Sequence, residues 1–289
     1  FLRFVKYVLL KPNLILVILL VISCLFSKQS FSENVKSWKE IDRYYKKNNI
    51  DIYNLQASEI KKLKSYETIP DNFATLEDVQ KKKEIFYLIA YPLIHKNNED
   101  IKQERKIIID MEKKGSIKDL NSEDLDSLKI LTKKYKLEFT LEDKYLYKKL
   151  KQRINVIPVS LALGQAIIES GWGQSRFAIE GNALYGQWTF DQQEGLIPEK
   201  RDPDKTHAVK KFDKLADSVR SYMYNINTHM AYYEFRVIRR ITDRIGAMDE
   251  NVRIKIKLLA AYAEIGKKYV DKLELVFDSN NLSEFDGIN

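Results

Sequence analysis

The run from Val159 to Glu169 constrains this chain more than any other stretch. Seven of its eleven residues are apolar, so many that a helix formed by them must be buried. Pro158 lies where the first turn of a helix tolerates proline, and Gly171 and Gly173 follow the last apolar residue, where helices commonly end. The pattern predicts a buried helix on which the rest of the chain packs.

Glu169 closes this apolar run and is expected in the last turn of the helix. The backbone carbonyls there carry the negative end of the helix dipole, which raises the pKa of a carboxyl group. A carboxylic acid that stays protonated near neutral pH can serve as a general acid. A solvated helix end is the alternative. The indole of Trp172, between two flexible glycines, is of a shape that suits the apolar face of a sugar.

Length and charge limit the class of protein. A chain of 289 residues with 44% hydrophobic and 31% charged residues can bury one large core or two modest ones. The formal charge is +8, and residues 1–32 carry four of these charges, which leaves +4 for the remainder. A mildly basic body suits an anionic cell envelope or membrane surface. Nucleic acid is not expected as a partner, because the sequence has no nucleic-acid-binding motif.

Residues 1–32 predict an export segment. Early basic residues precede an apolar run over 14–26, which has about the length of a signal-peptide core, and residues 30–32 resemble a cleavage site. An uncleaved membrane anchor and lipidation at Cys24, the single cysteine, are the two alternatives. All three place the body outside the cytoplasm, in the periplasm or at the outer face of the cytoplasmic membrane, with the bacterial membrane as a partner.

The remaining chain divides by composition. Residues 33–74 are polar and lysine-rich and predict a linker with one or two short helices. Residues 75–150 predict a helical support region, in which Pro92 kinks the first helix and Gly115 ends it. Helix starts are expected near Thr75, Ser122 and Thr140. Residues 151–289 predict the main domain.

Within the main domain the periodicity changes once. Residues 187–190 and 207–212 alternate as short strands on either side of a turn-rich stretch, which predicts a small β-lobe. Helices resume near Asp217, and Gly266 breaks the helix that carries Tyr262, before a last amphipathic stripe over 269–277. No cluster of histidine, cysteine and acidic residues has metal-ligand spacing, and no glycine-rich phosphate loop is present, so neither metal nor cofactor is expected.

Two motifs resemble a known family. Residues 169–175 (ESGWGQS) and 182–186 (NALYG) resemble the catalytic core of the bacterial N-acetylglucosaminidases of glycoside hydrolase family 73. Residues 225–232 (NINTHMAY), Phe235-Arg236 and residues 262–270 (YAEIGKKYV) are similar to the Bax-like group of that superfamily. The resemblance spans roughly 75–285. It implies a mainly α, lysozyme-like helical domain with a small β-lobe across the substrate groove, preceded by additional helices and the export or anchor segment.

The resemblance also implies an activity. Proteins of this kind hydrolyse the bond after N-acetylglucosamine in peptidoglycan glycan strands, and Glu169 matches their general acid. Tyr262 matches a tyrosine of their active site, although the usual motif, tyrosine-alanine-threonine-aspartate-proline-x-tyrosine, is one residue shorter than the segment here. Substrate-binding positions are expected from the motifs at Trp172, Ser175, Asn182, Tyr185 and Trp188, and the three aromatic ones can equally be core residues.

The second catalytic group stays open at the level of sequence. Glu194, Glu199 and Asp191 of the β-lobe can supply a base that activates water across the groove. Alternatively, the 2-acetamido oxygen of the substrate attacks its own anomeric carbon while a neutral tyrosine positions it. His207, and His229 with Arg236, are expected to order the lobe and a helix junction. A lytic transglycosylase and a non-catalytic wall-binding module remain rival functions.

Overall fold

The structure is a computed structural model that describes residues 33–199, 201, 206–242, 248–263 and 266–288. The predicted export segment, residues 1–32 with Cys24, lies outside the described residues. The described part is mainly helical, as predicted. Its α-helices are α1 (Trp38–Lys47), α2 (Val79–Lys114), α3 (Ser122–Lys134), α4 (Leu146–Arg153), α5 (Val159–Ser170), α6 (Arg176–Gly181), α7 (Leu215–Thr228), α8 (Tyr233–Thr242), α9 (Met248–Lys257) and α10 (Lys267–Ser279).

The predicted β-lobe is confirmed as a small antiparallel sheet. Its strands are β1 (Trp188–Thr189), β2 (Gly195–Leu196) and β3 (Ala208–Lys210), in the order β1-β3-β2. Val209 of the central strand lies opposite Trp188 on one side and Leu196 on the other. Such short strands bury little on their own, so the lobe depends on the helices beside it.

Helix α5 lies at the centre of the helical body. Most of its apolar side chains are fully buried, and α2, α10 and the 3-10 helix Leu282–Asp286 pack against it. A side chain at Gly164 would come within 2.8 Å of Leu273, so glycine here permits the close approach of α10. The sequence prediction of a buried central helix is confirmed.

The two ends of α5 are fixed differently. At the first turn, the carboxylate of Asp286 accepts hydrogen bonds from the Ser160 backbone amide (3.0 Å) and from the Ser160 hydroxyl. At the last turn, the chain reverses through three residues with positive φ, Gly171 (57°), Trp172 (61°) and Gly173 (75°). The predicted stop at Gly171 is confirmed, because this residue is the left-handed C-cap.

Residues 33–74 differ from the predicted polar linker. Buried side chains from this stretch, including Ile41, Tyr45 and Phe73, belong to the same hydrophobic core as α5. The Leu215 amide also donates to the Glu67 carbonyl, which fixes the stretch to α7. The many lysines of the segment concealed its scattered apolar residues, which come together only when it folds on the body.

The support region follows the prediction in outline. Helix α2 contains Pro92 and ends at Lys114 with Gly115 as its C-cap, but it begins at Val79 with Asp78 as its N-cap rather than at Thr75. Thr75 instead ends a 3-10 helix. Helix α4 begins at Leu146, later than the expected start at Thr140. In the described part of the chain, no helix combines the length and apolar character needed to cross a bilayer.

Candidate active site

Glu169 lies at the edge of a groove of about 700 Å³ between the helical body and the β-lobe. Its walls come from α5, α7, strands β1 and β3, and the 3-10 helices Met230–Tyr232 and Ala260–Tyr262. Among the described residues, Glu169 is the single carboxylic acid that lines this groove. The predicted general acid therefore has access to a cavity large enough for sugar rings.

The surroundings of Glu169 favour its protonated form. Burial is the main cause and raises the pKa of the carboxyl group from its usual 4.5 to about 7, against the lowering effects of a hydrogen bond from Tyr269 and the charge of Lys272. A group with this pKa is a substantial fraction protonated at neutral pH, as a general acid requires.

Gly186 leaves space in front of the acid. Its φ of +58° is a left-handed conformation that glycine adopts without strain, and it lies in the groove wall. A side chain at this position would come within 3.0 Å of the Glu169 carboxyl oxygen Oε2. The glycine therefore keeps the groove-facing side of the carboxyl group open.

Five tyrosines form a cluster on the body side of the groove, and four of them interact with Glu169: Tyr222, Tyr232, Tyr262 and Tyr269. The rings of Tyr185 and Tyr222 stack with centroids 3.8 Å apart, and those of Tyr262 and Tyr269 stack at 5.5 Å. Tyr232 completes the group and lies 6.3 Å from Tyr262, centroid to centroid. Burial raises the pKa of each of these phenols above its usual value of 10, so all five are neutral hydrogen-bonding groups at physiological pH.

Tyr262 lies in the groove wall, near the position that its predicted role requires. Its hydroxyl donates a hydrogen bond to the backbone carbonyl of Tyr185 at 2.9 Å. Residues Glu264 and Ile265 of the same motif lie outside the described residues. The Tyr262 hydroxyl is thus held in a fixed place beside the groove by its contact with the backbone.

The three acids of the β-lobe lie apart from the groove lining. Glu194 is exposed at the end of a 3-10 helix, and Asp191 caps that helix by accepting from the Gln193 amide. Glu199 is exposed and lies 3.6 Å from the Arg176 guanidinium. The structure therefore does not bring any of the three predicted base candidates to the Glu169 groove.

Two of the predicted substrate-binding residues, Trp188 and Tyr185, line the groove. Trp188 is 51% exposed, and one side of its indole stacks on the His207 ring at 4.0 Å. Tyr185 is buried and contributes mainly its backbone carbonyl and the edge of its ring stack. Trp188 is the aromatic surface best placed to meet a sugar.

The other three predicted binding residues have structural contacts. The Trp172 indole packs against Phe86 and Tyr87 of α2, with the Lys83 ammonium over its ring. The structure therefore places it away from the groove. Ser175 caps α6, since its hydroxyl oxygen accepts from the Ala178 amide at 3.1 Å.

Asn182 ends α6 in a left-handed conformation and donates from its side chain to the carbonyls of Phe212 and Asp213. The motif that carries the family resemblance therefore builds the turn after α5 and ties α6 to the β-lobe. Its members contribute to the site through this geometry.

The histidines lie at structural junctions. The Arg236 guanidinium donates to the carbonyls of Ile226 and His229, and His229 caps the following turn by accepting from the Ala231 amide. His95 is half-buried and stacks on Tyr91, and burial lowers its pKa. Arg236 and His229 thus order the junction between α7 and α8, near the Tyr232 side of the groove.

Sequence reasoning did not assign a site role to Gln165, Tyr222, Tyr232, Tyr269 or Lys210. Gln165 and the three tyrosines contact one another or face Glu169, and Lys210 lines the groove. Gln165 left one usable signal, because it is a lone amide inside an apolar helix, one turn before Glu169 and on the same face. The tyrosines left none, since each fits an ordinary amphipathic pattern.

A helical body, a central helix that ends on a buried carboxylic acid of raised pKa, and a small sheet across a groove together define a lysozyme-like domain. Comparison with known proteins agrees. The family described as mannosyl-glycoprotein endo-beta-N-acetylglucosaminidase (Glucosaminidase) matches residues 144–282. The chain is 28% identical to Protein bax of Escherichia coli (strain K12) over 202 residues, which cover 69% of this chain and 70% of that protein.

Together, the two matches support a Bax-like protein with a glucosaminidase domain. This family points in general to a glycosidase that acts on peptidoglycan. The comparison with solved structures gave no match.

Proposed function

We propose that this protein is an endo-beta-N-acetylglucosaminidase that cleaves the glycosidic bond after N-acetylglucosamine in peptidoglycan, with Glu169 as general acid. The observation that carries the proposal is the pKa of Glu169, which burial raises to about 7 at the edge of an open groove. Acid catalysis of glycoside cleavage needs a protonated carboxyl group beside the leaving oxygen.

In this mechanism Glu169 donates its proton to the leaving glycosidic oxygen as the bond to the anomeric carbon breaks. The open space at Gly186 lets that oxygen approach the carboxyl group. The carboxylate formed then takes a proton from the incoming water, which returns the enzyme to its starting state. Trp188 supports the sugar by stacking on its apolar face.

Substrate assistance accounts best for the second half of the reaction. Within the described residues no second carboxylate lines the groove, and substrate assistance supplies a nucleophile for the positive anomeric centre without one. The acetamido oxygen of N-acetylglucosamine can attack this carbon from the opposite face and form a bicyclic intermediate, which water then opens. The neutral Tyr262 hydroxyl, fixed by the Tyr185 carbonyl, is placed to orient the acetamido group. The expected product keeps its anomeric configuration.

The direct test is to incubate the purified chain and its Glu169→Gln variant with peptidoglycan sacculi and to identify the released muropeptides by mass spectrometry. The proposal expects products with reducing N-acetylglucosamine ends from the wild type and none from the variant. Glu194→Gln and Glu199→Gln serve as matched carboxylate controls, and both should retain activity because their side chains lie outside the groove lining.

Other outcomes separate the rival functions. Anhydro-muramic ends would identify a lytic transglycosylase, which also works with one glutamate. Sedimentation of both proteins with sacculi, without release of fragments, would support a wall-binding module. Loss of activity in Glu194→Gln alone would replace substrate assistance by an inverting reaction with a base from the β-lobe.

We also propose that the protein works outside the cytoplasm, since its substrate lies there and residues 1–32 have the pattern of an export or anchor segment. Separation of periplasmic and membrane fractions, followed by protease treatment of spheroplasts, tests this location. A protein protected from protease in intact spheroplasts contradicts it.

A further inference from the structure

Gln165 is a fully buried polar side chain in the centre of α5 that the proposed reaction does not use directly. Both ends of its amide are hydrogen-bonded. The Tyr222 hydroxyl donates to the amide oxygen at 2.6 Å, and the amide nitrogen donates to the Tyr269 hydroxyl oxygen at 2.9 Å. Tyr222 and Tyr269 come from α7 and α10, so one amide joins three helices next to the acid.

These contacts have a direction. An amide oxygen only accepts, so Tyr222 must donate to it, and the amide nitrogen only donates, so Tyr269 must accept from it. The Tyr269 oxygen thus receives one hydrogen and has its own proton free for another partner. That partner is the Glu169 carboxyl group, which has a side-chain hydrogen bond with Tyr269.

We propose that Gln165 is a positioning residue that, through Tyr269, fixes which oxygen of Glu169 carries the acid proton. The inference rests on the proposed role of Glu169 as general acid. A protonated carboxyl group has one carbonyl oxygen and one hydroxyl. When Tyr269 donates to the carbonyl oxygen, the hydroxyl is the other oxygen, which is left to the groove. Gln165 thereby acts on catalysis without touching the substrate.

The amide is what makes this arrangement one-directional. Were its oxygen to face Tyr269, the phenol would donate to Gln165 and could only accept from Glu169, which would turn the acid proton into the protein. In the structure the Tyr222 hydroxyl donates to the amide oxygen at 2.6 Å, and the amide nitrogen is directed toward Tyr269. Tyr222 is itself fixed by the stack with Tyr185, centroid to centroid 3.8 Å.

The other groups that face Glu169 do not replace this donor. Lys272, on α10 with Tyr269, acts on it only through its charge. Tyr222 of α7, Tyr232 and Tyr262 are neutral phenols, and Tyr262 donates instead to the Tyr185 carbonyl. Tyr269 is therefore the hydrogen-bond donor through which the protein orients the acid.

The test measures the protonation of Glu169 without substrate. Glutamate labelled with ¹³C in the carboxyl group is incorporated into the full chain, and the Glu169 resonance is assigned by its absence in Glu169→Gln. Titration then compares the wild type with Tyr269→Phe, Gln165→Leu and Tyr222→Phe. Since Tyr269 donates to the carboxylate and stabilises it, removal of the donor should raise the Glu169 pKa by about one unit.

The expected order of the pKa shifts is Tyr269→Phe, then Gln165→Leu, then Tyr222→Phe. Tyr87→Phe is the matched control, because the Tyr87 hydroxyl is buried without a hydrogen-bond partner, and its removal should leave the pKa unchanged. In Tyr269→Phe, Gln165→Leu and Tyr222→Phe, kcat on sacculi should fall by roughly tenfold or more. The pH above which activity declines should move upward with the pKa, a change that a purely structural role does not produce.

A Gln165→Leu protein that folds and titrates like the wild type overturns the inference. Should that variant fail to fold, Tyr222→Phe decides, since it keeps Gln165 and the ring packing in place. A Glu169 pKa in Tyr222→Phe equal to that of the wild type, together with an unchanged kcat, also counts against the proposed role of Gln165. The proposed function is judged separately, because it fails if Glu169→Gln still releases muropeptides, whatever the titrations show.

Discussion

The two ends of helix α5 carry two carboxyl groups in opposite settings. At the first turn, Asp286 accepts hydrogen bonds from the amide and hydroxyl of Ser160 and faces the positive end of the helix dipole. At the last turn, Glu169 faces the negative end and has a hydrogen bond with Tyr269. Burial raises the pKa of both groups above their usual values.

The difference lies in what surrounds each acid. Asp286 also lines a cavity, of about 310 Å³, but both of its carboxyl oxygens accept hydrogen bonds from Ser160, so the group serves as a helix cap. Glu169 borders a groove, and Gly186 leaves its outer oxygen accessible. One helix thus holds an acid that stabilises the fold and another that can react, and the number of donors around each acid distinguishes the two roles.

Replacement of each acid by its amide should give the largest difference in activity between the two ends of α5. Glu169→Gln removes the proton donor and should lower the rate of muropeptide release by about a thousandfold or more. Asp286→Asn keeps an acceptor for Ser160 and should change the rate by less than about threefold. Release rates from sacculi, measured with both purified variants, provide the check. Equal losses would mean that both acids act through stability.

The pH dependence of stability should report the raised pKa of Glu169. The Glu169 pKa is higher in the folded chain, about 7, than its usual 4.5, so the unfolded chain loses this proton first as pH rises. The contribution of this group to the unfolding free energy is fully present below about pH 4.5 and is lost as pH rises to about 7. Glu169→Gln should therefore flatten the decline between pH 5 and pH 8 by roughly 2–3 kcal/mol. Urea unfolding at several pH values measures it.

Removal of the cap should affect folding more than chemistry. Asp286→Ala leaves the first amides of α5 and the Ser160 hydroxyl without their acceptor in a buried place, which should cost about 2 kcal/mol of unfolding free energy. Asp286→Asn should cost less. Chemical denaturation at pH 7 gives both values. A loss of activity that exceeds the unfolded fraction would show that Asp286 influences Glu169 directly.

A side chain at Gly186 should narrow the approach to Glu169 from the groove. Gly186→Ala places a methyl group within 3.0 Å of Glu169 Oε2 and strains a residue with φ of +58°. We expect kcat to fall by about tenfold. Gly171→Ala, with a φ of +57° and open space around it, is the matched control for strain alone. Equal effects of the two substitutions would argue against blocked access.

The smallest expected effect concerns sugar stacking. Trp188→Ala removes the half-exposed indole of the groove wall and should raise KM by about fivefold to tenfold, equivalent to roughly 1 kcal/mol, with little change in kcat. Trp172→Phe, which alters an indole that packs on α2, should leave KM unchanged in the folded fraction. Initial rates on a soluble muropeptide chain distinguish the two tryptophans.

Local sequence was sufficient for the central helix and its acid. An apolar run, a proline before it and glycines after it define α5 without any tertiary information, and the position of Glu169 follows from them. The β-lobe was also predicted from alternation and turn residues. These features depend on neighbours in sequence, which a single chain displays directly.

The surroundings of the acid depended on distant contacts. Tyr222 and Tyr269 come from helices separated from Gln165 by 57 and 104 residues, and nothing in their local pattern distinguishes them from core tyrosines. Trp172, in contrast, was predicted in the site and lies outside it. Its place beside Glu169 in sequence indicated a sugar contact, but the left-handed turn directs its ring toward α2.

The turn at Trp172 also bears on how small an autonomous folding unit can be. The family match begins at residue 144, whereas the side chains that cover this indole, Phe86 and Tyr87, belong to a helix that ends thirty residues earlier in the chain. Asp286, at the other end of α5, lies just beyond the match. A fragment trimmed to the matched residues would expose the Trp172 indole and leave α5 without its cap. The unit that can fold on its own is therefore longer than the segment that matches the family.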